Sequence, residues 1–142
     1  MSEKMINILL VEDDEVDIMN VKRAFKKNNI TNPLYICHNG IEALDFLNGK
    51  RDPSIVDLPK IILLDLNMPK MGGIEFLGEI RKDDRLKHIS VFVMTTSNED
   101  KDKINAYNLN VAGYIIKPLS MDKFMLVVST LNSYWTLCEY PG

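Results

Sequence analysis

The sequence predicts an α/β fold, a doubly wound five-stranded parallel sheet with helices on both faces. Three observations carry this expectation. Short, mostly apolar runs bounded by turn residues recur along the chain, as strands buried on both faces require. The stretches between them place apolar residues at helical spacing, and this strict alternation points to a parallel sheet. Four of the five runs stop at polar residues, Glu12-Asp13, Asp65, Thr95 and Lys117, and the fifth stops at Cys37-His38. In a parallel sheet these ends share one edge, the edge where open α/β sheets bind ligands.

The first run, Met5-Ile-Asn-Ile-Leu-Leu-Val11, ends at Glu12-Asp13-Asp14-Glu15. Ile18, Val21 and Phe25 then recur at helical spacing, with Lys22, Arg23, Lys26 and Lys27 falling mostly elsewhere, and Asn28-Asn29 closes that helix. Leu34–Cys37 reads as a short strand, Asn39-Gly40 as a turn, and Ile41, Leu44 and Leu47 as the lining of a short helix. Asn48–Pro59 is mostly polar and reads as a surface loop, because neither side of it has enough elements to stand alone.

Ile61–Leu64 is the central strand and stops at Asp65. Pro69 ends regular pairing, having no N–H to give a ladder, and the flexible pair Gly72-Gly73 follows. The next helix sets Ile74, Leu77 and Ile80 on one face and gives way to a solvated turn, Lys82-Asp83-Asp84-Arg85. Val91–Met94 is the fourth strand, ending at Thr95-Thr96-Ser97. Ser97 with Asp100 three residues later resembles a capping box, and the helix behind it runs toward Asn110, burying Ile104 and Tyr107. Ala112–Ile116 is the fifth strand and ends at Lys117-Pro118. Ser120 caps the last helix, on which Phe124, Val128, Leu131, Trp135 and Cys138 form an apolar stripe.

At 142 residues the chain fits one domain with a real core. A net charge of −3 gives no nucleic-acid footprint. The opening run is too short for a signal peptide, and none approaches the ~20 apolar residues of a membrane helix. Cys37 and Cys138 form no CxxC or metal pattern and read as reduced thiols, which favours the cytoplasm. Asp14 reads as a helix-start acid, His38 as a strand-end residue and His88 as a loop residue.

The residues gathered at the strand ends suit phosphoryl transfer. Carboxylates crowded into one crevice either rise in pKa or bind a cation, and oxygen-only ligands suit Mg²⁺ or Mn²⁺. A metal site alone would not require the positive charge of Lys117. A carboxylate nucleophile, a hard cation, a lysine and the Thr95 hydroxyl make sense together around a phosphoryl group.

Leu10-Val-Glu-Asp13, Leu64-Asp-Leu-Asn-Met-Pro69, Met94-Thr-Thr96 and Gly113-Tyr-Ile-Ile-Lys-Pro118, in this order, resemble the motifs of response-regulator receiver domains. The resemblance covers nearly the whole chain. It implies the flavodoxin-like strand order 2-1-3-4-5, which alternation alone does not fix. It also implies Asp65 as phosphoacceptor, and Mg²⁺ or Mn²⁺ bound by Asp13, Glu12, Asp65 and the backbone carbonyl of Asn67. Thr95 and Lys117 would hold the phosphoryl oxygens, Tyr114 would be an aromatic switch, and Lys117-Pro118 would be a cis peptide. Glu12 departs from the Asp more common in the family, and the Asn48–Pro59 loop is longer than in the simplest receivers.

That loop, Thr95-Thr96-Ser97 and the terminal Tyr134-Trp135 are similar to single-domain regulators that partner phytochrome-type kinases. The resemblance thus implies a stand-alone, cytoplasmic receiver without an output domain. Its phosphoryl group would come from a histidine kinase or phosphotransfer protein. Its output would be a protein contact, a change in self-association such as a homodimer, or onward transfer. Neither nucleic acid nor membrane is an expected partner. Two rivals share the fold. An aspartyl-phosphate phosphatase would typically carry an acid two residues after the nucleophile, where Asn67 stands; a flavodoxin-like binding module would need a phosphate-cradling loop where the acids after Val11 lie.

Overall fold

The computed structural model describes residues 6–49, 58–67, 71–95, 99–106, 108–117 and 121–137, the side chains at 106, 121, 124 and 134–137 excepted. Strands β1 (Ile8–Val11), β2 (Leu34–Cys37), β3 (Ile61–Asp65), β4 (Ser90–Thr95) and β5 (Gly113–Ile116) alternate with helices α1 (Glu15–Lys27), α2 (Gly40–Leu47), α3 (Gly73–Lys82), α4 (Glu99–Ala106) and α5 (Met121–Leu137). The sheet is parallel and runs in the order β2-β1-β3-β4-β5, as expected.

The central strands are buried on both faces, and their pleat divides the core in two. Leu9, Val11, Ile62, Leu64, Val91 and Val93 point toward α2, α3 and α4, where they meet Ala43, Leu47, Phe76, Leu77, Ile80 and Ile104. Ile8, Leu10, Ile61, Leu63, Phe92 and Met94 point the other way, toward α1 and α5, and pack on Ile18, Val21, Ala24, Phe25, Val128 and Leu131. A one-residue slip of any central strand would exchange these two sets, so burial on both sides fixes the register. In that register Val11 lies beside Leu64, Asp65 beside Met94, and Thr95 beside Ile116. The carboxyl ends of β1, β3, β4 and β5 are therefore nearly flush.

Several local expectations hold. Asp14 is the N-cap of α1, its carboxylate accepting from the backbone N–H groups of Val16 and Asp17. Asn28 caps the other end, and Asn29 takes the left-handed conformation, which asparagine tolerates. His38 and His88 are exposed, and Cys37 is buried.

Other details differ. Ile41 does not line α2 inward but is 49% exposed. The helix buries Gly40, Ala43 and Leu47, and Leu44 is half-buried against the same side. In α3 the fully buried aromatic is Phe76, whereas Ile74 is half-buried. Helix α4 is described over Glu99–Ala106 and does not continue to Asn110, because the Leu109 N–H turns back to the Ile104 carbonyl and Asn108 and Asn110 adopt positive φ. Before α3 the left-handed residue is Met71, at φ 62°, and neither glycine of the following pair. Gly73 serves close approach instead: a Cβ there would lie 2.6 Å from Leu66 Cα and 2.8 Å from the Asp65 carbonyl oxygen. Arg81, at the end of α3, donates to the carbonyls of Lys87, Ile89, Leu109 and Asn110 and so ties down the loops before β4 and β5.

Most of the 48–59 loop, the Pro69 turn, Ser97, Tyr107, the Lys117-Pro118 peptide and the Ser120 cap lie outside the described residues. So do the side chains of Phe124, Tyr134, Trp135 and Cys138.

Candidate functional site

Each site residue is placed by a strand end. Glu12 directly follows β1, and its N–H donates to the Cys37 carbonyl at 2.9 Å, which extends the β1–β2 ladder by one residue. Asp65 is the last residue of β3, and the Leu66 N–H continues the ladder to the Met94 carbonyl at 3.0 Å. The Lys117 N–H bonds the Thr95 carbonyl at 2.8 Å, continuing β5 past Ile116. The carboxyl edge of the sheet thus holds Glu12, Asp65 and Lys117 on backbone that is still paired.

Glu12, Asp65 and Thr95 are buried, whereas Asp13 is exposed. One carboxylate oxygen from each of Glu12, Asp13 and Asp65 lies within 4.8 Å of the other two. Lys117 Nζ donates to Glu12 Oε1 at 2.8 Å and to Asp17 Oδ2 at 2.9 Å, and stands 3.7 Å from Asp65 Oδ2. The Asn67 N–H donates to Asp65 Oδ1 at 3.0 Å, fixing the orientation of that carboxylate. Asn67 itself is exposed at the mouth of the site.

The electrostatics follow from this crowding. Burial pushes the Glu12 carboxyl up to about 8, neighbouring Asp65 adds to the rise, and Lys117 offsets only part of it. For Lys117 burial opposes the charge, but hydrogen bonds to Glu12 and Asp17 and the charges of Glu12 and Asp65 outweigh it. Its ammonium titrates above the ordinary lysine range. The two directions compete over the Glu12 carboxyl, since a proton there weakens its pairing with the lysine. Lys117 remains cationic in either state, because Asp17 and Asp65 still face it.

The donor set fits a hard divalent cation. Among the described residues Glu12 Oε2 is buried without a hydrogen-bond partner, an expensive arrangement for a carboxylate oxygen. Together with Asp13 and Asp65 it presents hard oxygens at the end of a crevice, the ligand type that Mg²⁺ and Mn²⁺ prefer.

Thr95 and Tyr114 are engaged by α4. The Thr95 hydroxyl donates to the Asp100 carboxylate. Lys101 Nζ sits 5.2 Å from the centre of the Tyr114 ring, which is half-buried against the α2–α4 side of the core. Asp100, expected to answer Ser97 in a capping box, thus has Thr95 as a partner. Asp17 was not among the expected site residues. Its only sequence signal is an acid in the first turn of a helix, and its partner Lys117 lies 100 positions away.

A five-stranded parallel sheet in this order, with an acidic cluster and a lysine at its carboxyl edge, defines a receiver. The chain belongs to the response regulator receiver domain family, whose profile matches residues 8–129. Among its relatives is the response regulator Rcp1 of Synechocystis sp., 38% identical over 90% of this chain and 87% of its own length. The probable methanogenesis regulatory protein FilR2 of Methanothrix harundinacea is 39% identical over 90% of this chain and 82% of its own. The phosphorylated cyanobacterial phytochrome response regulator RcpA superposes with a TM-score of 0.85 at 31% identity, covering 98% of this chain and all of its own. The Mn²⁺-bound form of Rcp1 superposes with a TM-score of 0.82 at 36% identity, covering 96% and 99%. This chain is accordingly a receiver of the two-component type, a class that signals through phosphorylation. Among the described residues no helix is long and apolar enough to cross a membrane.

Proposed function

We propose that this chain is a stand-alone response regulator whose Asp65 accepts a phosphoryl group from a histidine kinase or phosphotransfer protein. The observation that carries the assignment is the buried Asp65 carboxylate at the end of the central strand, with Lys117 Nζ 3.7 Å away and two further carboxylates beside it. A carboxylate oxygen of Asp65 forms the new P–O bond as the bond to the donor breaks, and the electron pair leaves with the donor's imidazole nitrogen. The Asn67 N–H holds one oxygen of Asp65 and so orients the other for attack. Lys117 supplies N–H donors and positive charge for the phosphoryl oxygens. Thr95 supplies a hydroxyl donor once it has exchanged Asp100 for a phosphoryl oxygen, and Tyr114 responds as the aromatic switch beside it.

Glu12, Asp13, Asp65 and the Asn67 carbonyl would hold Mg²⁺ or Mn²⁺. Such an ion, when bound, neutralises the charge that builds up between the carboxylates and the incoming phosphoryl group.

The chain acts as an acceptor and not as an enzyme turning over a small substrate, since Asn67 offers no acid two residues after Asp65. Similarity to Rcp1 and RcpA supports a phytochrome-type kinase as donor, and with a donor of that kind the protein works in the cytoplasm. Its output is a contact with another protein, self-association as a homodimer, or passage of the phosphoryl group onward. Acetyl phosphate with Mg²⁺ tests the assignment by intact mass. Wild type should gain one phosphoryl group and Asp65→Asn none; wild-type labelling of the variant would refute it.

A further inference from the structure

Asp17 has no assigned part in the chemistry, yet it holds the site's lysine as closely as Glu12 does. Its carboxylate lies 2.9 Å from Lys117 Nζ, against 2.8 Å for Glu12 and 3.7 Å for Asp65. The position is built rather than incidental. Asp17 stands in the first turn of α1, and its own N–H is bonded to the Asp14 cap, so the backbone that carries the carboxylate is fixed. The lysine side chain is only 19% exposed and the aspartate's 38%, so the pair runs from the site's half-buried lysine to its rim.

An ammonium has three N–H donors. Glu12 and Asp17 take two, and the third has Asp65 near it at a distance too long for a hydrogen bond. We infer that Asp17 is a positioning residue for phosphoryl capture: together with Glu12 it fixes the Lys117 ammonium so that its remaining donor serves the phosphoryl group arriving at Asp65. Without Asp17 the lysine would keep its charge but could rotate onto Glu12 and Asp65 alone. The inference rests on the assignment of Asp65 as acceptor.

Acid at a helix N-terminus also favours the helix dipole, so the test must separate that role from positioning. The rate of phosphorylation by acetyl phosphate in Mg²⁺, followed by intact mass across donor concentrations, is the functional readout. Asp17→Ala should lower the limiting rate about tenfold, as loss of one oriented contact worth ~1.4 kcal/mol would. Asp17→Asn, which keeps an acceptor, should restore part of it. Glu15→Gln, in the same turn but against His38, should match wild type. In a Lys117→Ala background, Asp17→Ala should have no further effect.

Nitrogen-15 NMR of the lysine ammonium groups gives a reading independent of phosphorylation. The Lys117 signal should be protected from exchange in wild type and broadened in Asp17→Ala. A wild-type rate for Asp17→Ala, or an equal loss in the Lys117→Ala background, overturns the inference whatever the NMR result. If wild type itself takes no phosphoryl group, it is the assignment of Asp65 that fails, and the inference falls with it.

Discussion

At Glu12 a buried carboxylate sits one residue past a strand, with one oxygen on Lys117 and the other without a partner among the described residues. Its carboxyl is pushed up from an ordinary 4.5 to about 8. Between those two values the folded chain keeps a proton that the unfolded chain has released. The stability this proton contributes is therefore complete below pH 4.5 and is lost as pH rises through 8, with a ceiling of about 1.4 kcal/mol per pH unit for one proton. In chelator-treated protein, denaturant unfolding of wild type should show stability falling toward pH 8, and Glu12→Gln should flatten that decline and be the more stable at pH 8.5. Parallel profiles for the two proteins would mean that Glu12 does not carry the proton. The types of Glu12, Asp13, Asp65, Thr95 and Lys117 were legible in the sequence because each ends a strand. The partners Asp17 and Asp100 were not, because a helical acid gives the same local signal whether it caps, faces water or reaches across the site.

Among the elements, the β3–α3 connection carries the tightest constraint near the site. Gly73 allows α3 to start against the backbone that ends β3, and Gly78, in the same helix, has open space around its missing Cβ. The two glycines should answer alanine in opposite ways. Gly73→Ala forces backbone atoms apart next to Asp65 and should destabilise the protein by roughly 1–3 kcal/mol, as overpacking does. Gly78→Ala should stabilise it by up to about 1 kcal/mol through helix propensity. Thermal unfolding of the two variants decides this, and equal shifts of one sign would contradict the packing at Gly73. The sequence marked this stretch by its Gly pair but not the use of each glycine. The positive φ falls on Met71, a residue that propensity argues against, because the demand comes from tertiary packing. In the same way Ile41 looked like lining by its spacing from Leu44 and Leu47, yet α2 turns Gly40 and Ala43 to the core.

For the whole molecule, the alternation of strand and helix carried the architecture, since runs apolar on both faces can be satisfied only between two helical layers. The strand order did not follow from alternation and came with the receiver motifs. Once that order is set, β2 goes to one margin and the four polar strand ends become neighbours, so that residues 12, 65, 95 and 117 meet along one edge. The sheet is thus the frame that turns four distant strand ends into one crevice, the proposed phosphoacceptor site. The most direct test is to identify the atom that is modified. Protein phosphorylated by acetyl phosphate with Mg²⁺ can be reduced with borohydride, which converts an aspartyl phosphate to homoserine, and then mapped by peptide mass spectrometry. Homoserine at position 65 alone is the expected result; homoserine at position 13, 2-amino-5-hydroxypentanoic acid at position 12, or phosphate held stably on a hydroxyl, would contradict it.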